Sequence, residues 1–248
     1  MWHRKFKKKI STGISFSGCS SDNDIADKFA DHLCKTFYES YRDSDAVENF
    51  HHCQLAHQNN VLKPDITVEL IDRSIHKLHK GKASGPDELS AEHLLNAHPS
   101  LVMHLKLLFS MTFCHEYVPA GFGYGTVIPL IKDKMGNFND VNNYRPITFI
   151  PVISKVFECI SLEICQDCLM VDDLQFGFKQ GHGCTDAIFA LKSVVNYFND
   201  RGSCVYATAL DLSRAFDSVN HCKLFSTLLT AGLPVTVVNV ICNCNCNL

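Results

Sequence analysis

Three stretches of this 248-residue sequence are written as extended apolar runs: GTVIPLI at 125–131, YRPITFI at 144–150 and CVYATAL at 204–210. Elsewhere the apolar residues recur at three and four, the spacing of a buried helix stripe. The pattern predicts an α+β fold, helix-rich and poor in strands. The first two runs flank KDKMGNFNDVNN, whose Gly and Asn residues favour a turn, so they predict a β-hairpin. Pro129 and Pro146 have no N–H to give a ladder and must sit at edges or strand ends.

Residues 22–41 carry Ile25, Phe29, Leu33, Phe37 and Tyr41 at four-residue spacing behind Ser21 or Asp22 as a cap, which predicts an amphipathic helix. Residues 43–64 hold few large apolar side chains and read as a linker, with a boundary near 60. A second helix fits 67–80, capped by Thr67, striped by Leu70, Ile71, Ile75 and Leu78, and stopped by Gly81. Further helices are expected near 100–116, 151–170, 185–200 and 220–231. This divides the chain into an N-terminal helical and linker segment at 1–60, a middle region at 61–203 and a last region at 204–248.

Composition narrows the class. No apolar run approaches the ~20 residues that cross a bilayer, and MWHRKFKKKI has no apolar segment behind its basic start, so neither a membrane span nor a secretory leader is expected. Thirteen cysteines, an odd number, fit reduced thiols inside a cell, in cytoplasm or nucleus, better than secreted disulfides. A net charge of −3 does not announce nucleic-acid binding, which must rest on local sites. The basic run near the start is a candidate nuclear-localisation or RNA-contacting patch, with a solvated terminus as the plainer reading.

The segment YATALDLSRAFDSVNH places Asp211 at the end of an apolar run and before a helix-like stretch. A carboxylate there can hold a hard cation beside a phosphate, although strand-end aspartates more commonly cap a helix or make a turn. Four blocks in order sharpen that choice. KGKASGPDELSAEHL, VIPLIKDK with NNYRPITFIPVISKVFE, QFGFKQGHGCTDAI and ALDLSRAFDSV together resemble the reverse transcriptases of non-LTR, LINE-type retrotransposons, over about residues 65–235.

The resemblance implies a right-hand polymerase: fingers at 61–203, a partial palm with an incomplete sheet at 204–248, and a β-hairpin in the fingers. It implies RNA-directed DNA synthesis with two Mg²⁺ ions, an RNA template, a DNA primer and deoxynucleoside triphosphates. Asp211 matches the palm aspartate that binds metal, with the carbonyl of Leu212 as a further ligand. Phe216 matches the aromatic gate beneath the incoming sugar, against a core phenylalanine as the alternative. Arg145 matches the fingers arginine on the triphosphate, and Lys132 or Lys134 the neighbouring basic position, against solvated hairpin charges. Asp217 reads as a local hydrogen-bond acceptor.

The chain departs from the family pattern at Glu88, where Gly is usual, at His182, Gly183 and Cys184, which replace an R-S-T run, and at Arg214, where Lys is usual. The Gln-Gly loop and Y-x-D-D hairpin of the family do not occur in residues 1–248, and the sequence after AGLPVTVVNVI reads as a truncated, frameshifted or mis-spliced frame. Two other readings stand beside an inactive polymerase fragment. One is a nucleic-acid-binding remnant without catalysis. The other is a small zinc-binding protein using Cys242, Cys244 and Cys246 or the pair Cys165 and Cys168.

Overall fold

The computed structural model describes residues 19, 21–39, 43–61, 64–169, 172–179, 181–212, 215–216 and 219–246. Among them the chain is helix-rich with one small antiparallel sheet. Its helices are α1 (Asp22–Glu39), α2 (Ser44–Ala56), α3 (Val68–His76), α4 (Ala91–Leu95), α5 (Ser100–His115), α6 (Val152–Cys165), α7 (Cys184–Asn199), α8 (His221–Thr230) and α9 (Val235–Cys246). The strands are β1 (Thr126–Ile131) and β2 (Tyr144–Phe149).

Local chemistry explains several of the boundaries. Thr67 accepts a hydrogen bond from the Leu70 N–H and starts α3. At the start of α1 the Ser21 hydroxyl accepts from the Asp24 N–H at 3.2 Å, while the Asp24 carboxylate accepts from the Ser21 N–H at 2.9 Å. This is a reciprocal cap that satisfies two orphan donors. The expectations for Phe37 and Tyr41 on that helix, for Arg214 and Asp217, and for the basic run of residues 1–10 lie outside the described residues or side chains.

The core sits where α3 packs on α5 and α6, and α8 and α9 close over α5 and α2. Phe109 and Phe157 stand at its centre with ring centroids 5.3 Å apart, and Phe113 and Phe122 complete an aromatic cluster around Phe157. Burial of such rings is the main stabilising term available to a domain this size.

The stretch 43–64, expected to be a linker, contains a helix. Residues 44–56 form α2, capped by Asp43, whose carboxylate accepts from the Ala46 N–H at 3.1 Å. Phe50 is buried against Phe225 of α8, ring centroids 5.5 Å apart. Two buried apolar residues, Ala46 and Phe50, are enough to seat the helix because α8 presents a matching face.

The cysteine-rich end is also ordered as α9, with Val237, Val238 and Val240 buried. A polar chain fixes its orientation: the Gln54 amide donates to Asn239, and Asn239 donates to the Glu116 carboxylate at 2.7 Å.

The expected palm strand at 204–210 is not one. Residues 203–212 have no regular secondary structure, and the sheet of the described residues contains β1 and β2 alone. An extended apolar segment becomes a strand only when a neighbour takes up its N–H and C=O groups, and among the described residues none is paired to it.

Candidate nucleotide-binding groove

The hairpin builds the first wall. β1 and β2 pair antiparallel with Leu130 opposite Arg145 and Pro129 opposite Pro146. The Lys132 N–H donates to the Asn143 carbonyl at 2.7 Å. Counting back in twos from that bonded pair makes Leu130–Arg145 a hydrogen-bonded pair and Pro129–Pro146 a non-bonded one. Both prolines therefore turn their missing donor outward, which is how a two-stranded ladder accommodates them.

Asn143 clamps the loop between the strands. Its side-chain oxygen accepts from the Asp133 N–H at 3.0 Å, and its amide donates to the Asp133 carbonyl at 3.0 Å. The Tyr144 hydroxyl donates to the Phe138 carbonyl. Asp140 caps the turn that follows: its carboxyl lies below the ordinary range because the Asn142 backbone and side chain donate to it, with smaller help from the charges of His32 and Lys132.

Two other parts of the chain face this hairpin. Helix α1 leans on it through Phe29, whose ring meets Tyr144 edge-on with centroids 5.0 Å apart. Asp211, Leu212, Ala215 and Phe216 also border it. Together they leave a groove of about 680 Å³, lined among others by His32, Lys132, Arg145, Asp211, Leu212 and Phe216. That volume lies within the range of small-ligand sites.

Of the residues singled out from the sequence, Lys132, Arg145, Asp211, Leu212 and Phe216 thus share one groove. Lys134 does not line it: it stands on the loop between β1 and β2. The Lys132 ammonium donates to the Asn142 carbonyl at 2.9 Å, which holds the charge at the groove edge. Phe216 is 77% exposed and meets Phe178 edge-on at 5.9 Å, so it is not a core phenylalanine here. Sequence reasoning missed His32 and Asn143. The spacing of His32 three residues after the anchored Phe29 is the one signal that could have placed it on this face.

Among the described residues Asp211 is the one carboxylate lining the groove, and no three His, Cys, Asp or Glu side chains converge as a metal cluster. The zinc reading gains nothing from the cysteines. Cys165 is buried in the apolar core and Cys244 packs against it, and burial pushes both thiols up to about 11.

Residues 131–247 match the family described as reverse transcriptase (RNA-dependent DNA polymerase). The chain is 27% identical over 170 residues to the probable RNA-directed DNA polymerase from transposon BS of Drosophila melanogaster, covering 66% of this chain and 18% of that protein. It is 28% identical over 165 residues to the RNA-directed DNA polymerase from mobile element jockey of the same species, covering 63% and 17%. The jockey polymerase of Drosophila funebris matches at 25% over 219 residues, 82% of this chain and 23% of that one. Residues 131–247 are therefore similar to reverse transcriptases, and the relatives matched are RNA-directed DNA polymerases of mobile elements. The chain spans about a fifth of the length of these relatives. The hairpin from Ile131 onward, residues 211–216, α8 and α9 fall inside the reverse transcriptase match, while α1 falls outside it.

Proposed function

We propose that the groove receives the triphosphate and sugar of an incoming deoxynucleotide during RNA-directed DNA synthesis. The observation that carries the reading is the meeting of Lys132, Arg145, Asp211 and Phe216 along one groove, although they come from two distant stretches of chain. In this reading residues 61–203 serve as fingers and 204–248 as the start of a palm, and an RNA template and DNA primer lie alongside.

The Arg145 guanidinium is exposed and planar, suited to two parallel bonds with phosphate oxygens. Lys132 adds a point charge at the same edge. The Phe216 ring, lying where a sugar would rest, opposes a 2′-hydroxyl by volume. Phe178 backs that ring.

Members of the family act with divalent metal ions. The donors present, the Asp211 carboxylate and the Leu212 carbonyl, suit one Mg²⁺ that takes its remaining ligands from phosphates and water, and they do not by themselves anchor a second. What a bound Mg²⁺ supplies is neutralisation of phosphate charge and a more acidic primer hydroxyl.

Titration of the chain with deoxyadenosine triphosphate, with and without Mg²⁺, tests the reading. Arg145→Ala should weaken binding by ~10- to 100-fold, the equivalent of about 1.5–3 kcal/mol for a lost charge-assisted bond. Asp211→Asn should erase the Mg²⁺-dependent part, and Phe216→Val should raise affinity for the ribonucleotide relative to the deoxynucleotide. Unchanged affinity in both Arg145→Ala and Asp211→Asn would remove the groove from nucleotide binding.

A further inference from the structure

Helix α1 lies outside the matched reverse transcriptase residues, yet it forms a wall of the groove. Its seat is defined by burial. Phe29 and Tyr144 are the buried pair of a small separate cluster, with Cys19, Ile25 and Val141 packed around them. On a helix, residues three and four apart share a face, so anchoring Phe29 on the hairpin carries His32 and Leu33 to the groove. Both line it, beside Lys132, Asn142 and Arg145.

We propose that His32 is a third phosphate-contacting side chain of this site, a positioning residue contributed by α1 for the polyphosphate of the incoming nucleotide. The inference rests on the nucleotide reading above and extends it to a part of the chain that reading does not use. Its ligand class follows from the chemistry of the wall. Lys132 and Arg145 offer N–H donors and positive charge, and an imidazole N–H beside them adds a donor that suits an anionic oxygen. His32 also lies close enough to the 132–145 turn for its charge to help depress the Asp140 carboxyl. The charged groups around it are Lys28, Asp31 and Lys35 on α1, Lys132, Asp140 and Arg145 on the hairpin, and Asp211 across the groove.

The test compares deoxyadenosine triphosphate, the diphosphate and deoxyadenosine as calorimetric ligands of the 248-residue chain. His32→Ala should weaken the triphosphate by ~10-fold, the size of one charge-assisted bond, and leave deoxyadenosine unaffected. His32→Lys should restore the triphosphate to within about threefold, because a donor and a charge return. Phe29→Ala, which frees α1 from Tyr144, should reproduce the loss, and thermal unfolding should separate that effect from a general loss of structure.

Wild-type triphosphate affinity in His32→Ala, with Arg145→Ala weakened, would overturn the role of His32 and spare the nucleotide site. No effect in either variant, or no nucleotide binding by the wild-type chain, would overturn the site itself and the inference with it. An equal loss for triphosphate and deoxyadenosine in His32→Ala would show a structural role and also overturn the assignment.

Discussion

At the residue scale, the GPDE turn shows what an unusual residue costs. Gly85 packs so closely that a Cβ there would lie 2.6 Å from the Ile150 carbonyl carbon and oxygen, at the junction of the hairpin and α6. Three residues on, Glu88 closes the turn by donating its N–H to the Gly85 carbonyl and takes a left-handed φ of 58°. The departure at 88 was visible in the sequence, but the conformation that makes glycine the easier residue there was not, because a turn's handedness is a property of the folded backbone. Gly85→Ala should cost about 1–3 kcal/mol by overpacking. Glu88→Gly should be neutral or stabilising by up to ~1 kcal/mol, strain relief of roughly 1–2 kcal/mol being partly offset by greater freedom in the unfolded chain. Urea unfolding reads both, and a clear loss of stability in Glu88→Gly would sink the strain argument.

At the element scale, α3 and α6 are clasped by charge as well as by apolar packing. Glu163 on α6 accepts from Arg73 at 2.6 Å and Lys77 at 2.9 Å, both on or just beyond α3. The Lys77 hydrogen bond chiefly, with the charges of both bases, holds the Glu163 carboxyl below its ordinary value of 4.5. A depressed carboxyl contributes stability above its unfolded value and loses it as pH falls through the folded one. The Glu163→Gln variant should therefore be less stable than wild type at pH 7, by under ~1 kcal/mol because both bases are largely solvated, and the difference should vanish on acidification below 4.5. A difference that persists or grows in acid would contradict the clasp. A smaller change reaches α7: Gly183 stands at its N-cap in extended backbone, with its N–H held by the Asp186 carboxylate at 2.8 Å, and Gly183→Ser should add a few tenths of a kcal/mol to thermal stability. Stripes carried by Leu, Ile and Phe made α3, α5 and α6 legible in the sequence. The helix α2 was not, since His, Gln and Asn surround its two buried residues, and α9 was obscured because a run of valines followed by alternating Cys and Asn suits no helix propensity scale; burial decided both.

At the scale of the whole molecule, apolar surface is distributed unevenly. No residue of α7 is buried, although Ile188, Phe189, Leu191 and Val194 lie along it, and Tyr206 and Leu210 are 94% and 96% exposed. Surface of that kind favours association, so the isolated chain should elute above its 27.8 kDa mass in a concentration-dependent way, and Phe189→Glu with Leu191→Glu should reduce the shift. A monomer at all concentrations would show that this face is tolerated in water. The groove was half legible: the hairpin charges, Asp211 and Phe216 could be named from motif order, whereas the wall supplied by α1 depends on a packing contact between residues 29 and 144 that no local pattern encodes. The pairing of α2 with α8 has a consequence in time. Cys53 on α2 and Ser226 on α8 touch across 173 residues of sequence. At roughly 5–20 residues per second of synthesis, α2 waits on the order of 9–35 s for its partner to be made. Throughout that interval Phe50 lacks its ring partner Phe225, and the emerging chain is a natural client for whatever shields apolar helices at the ribosome.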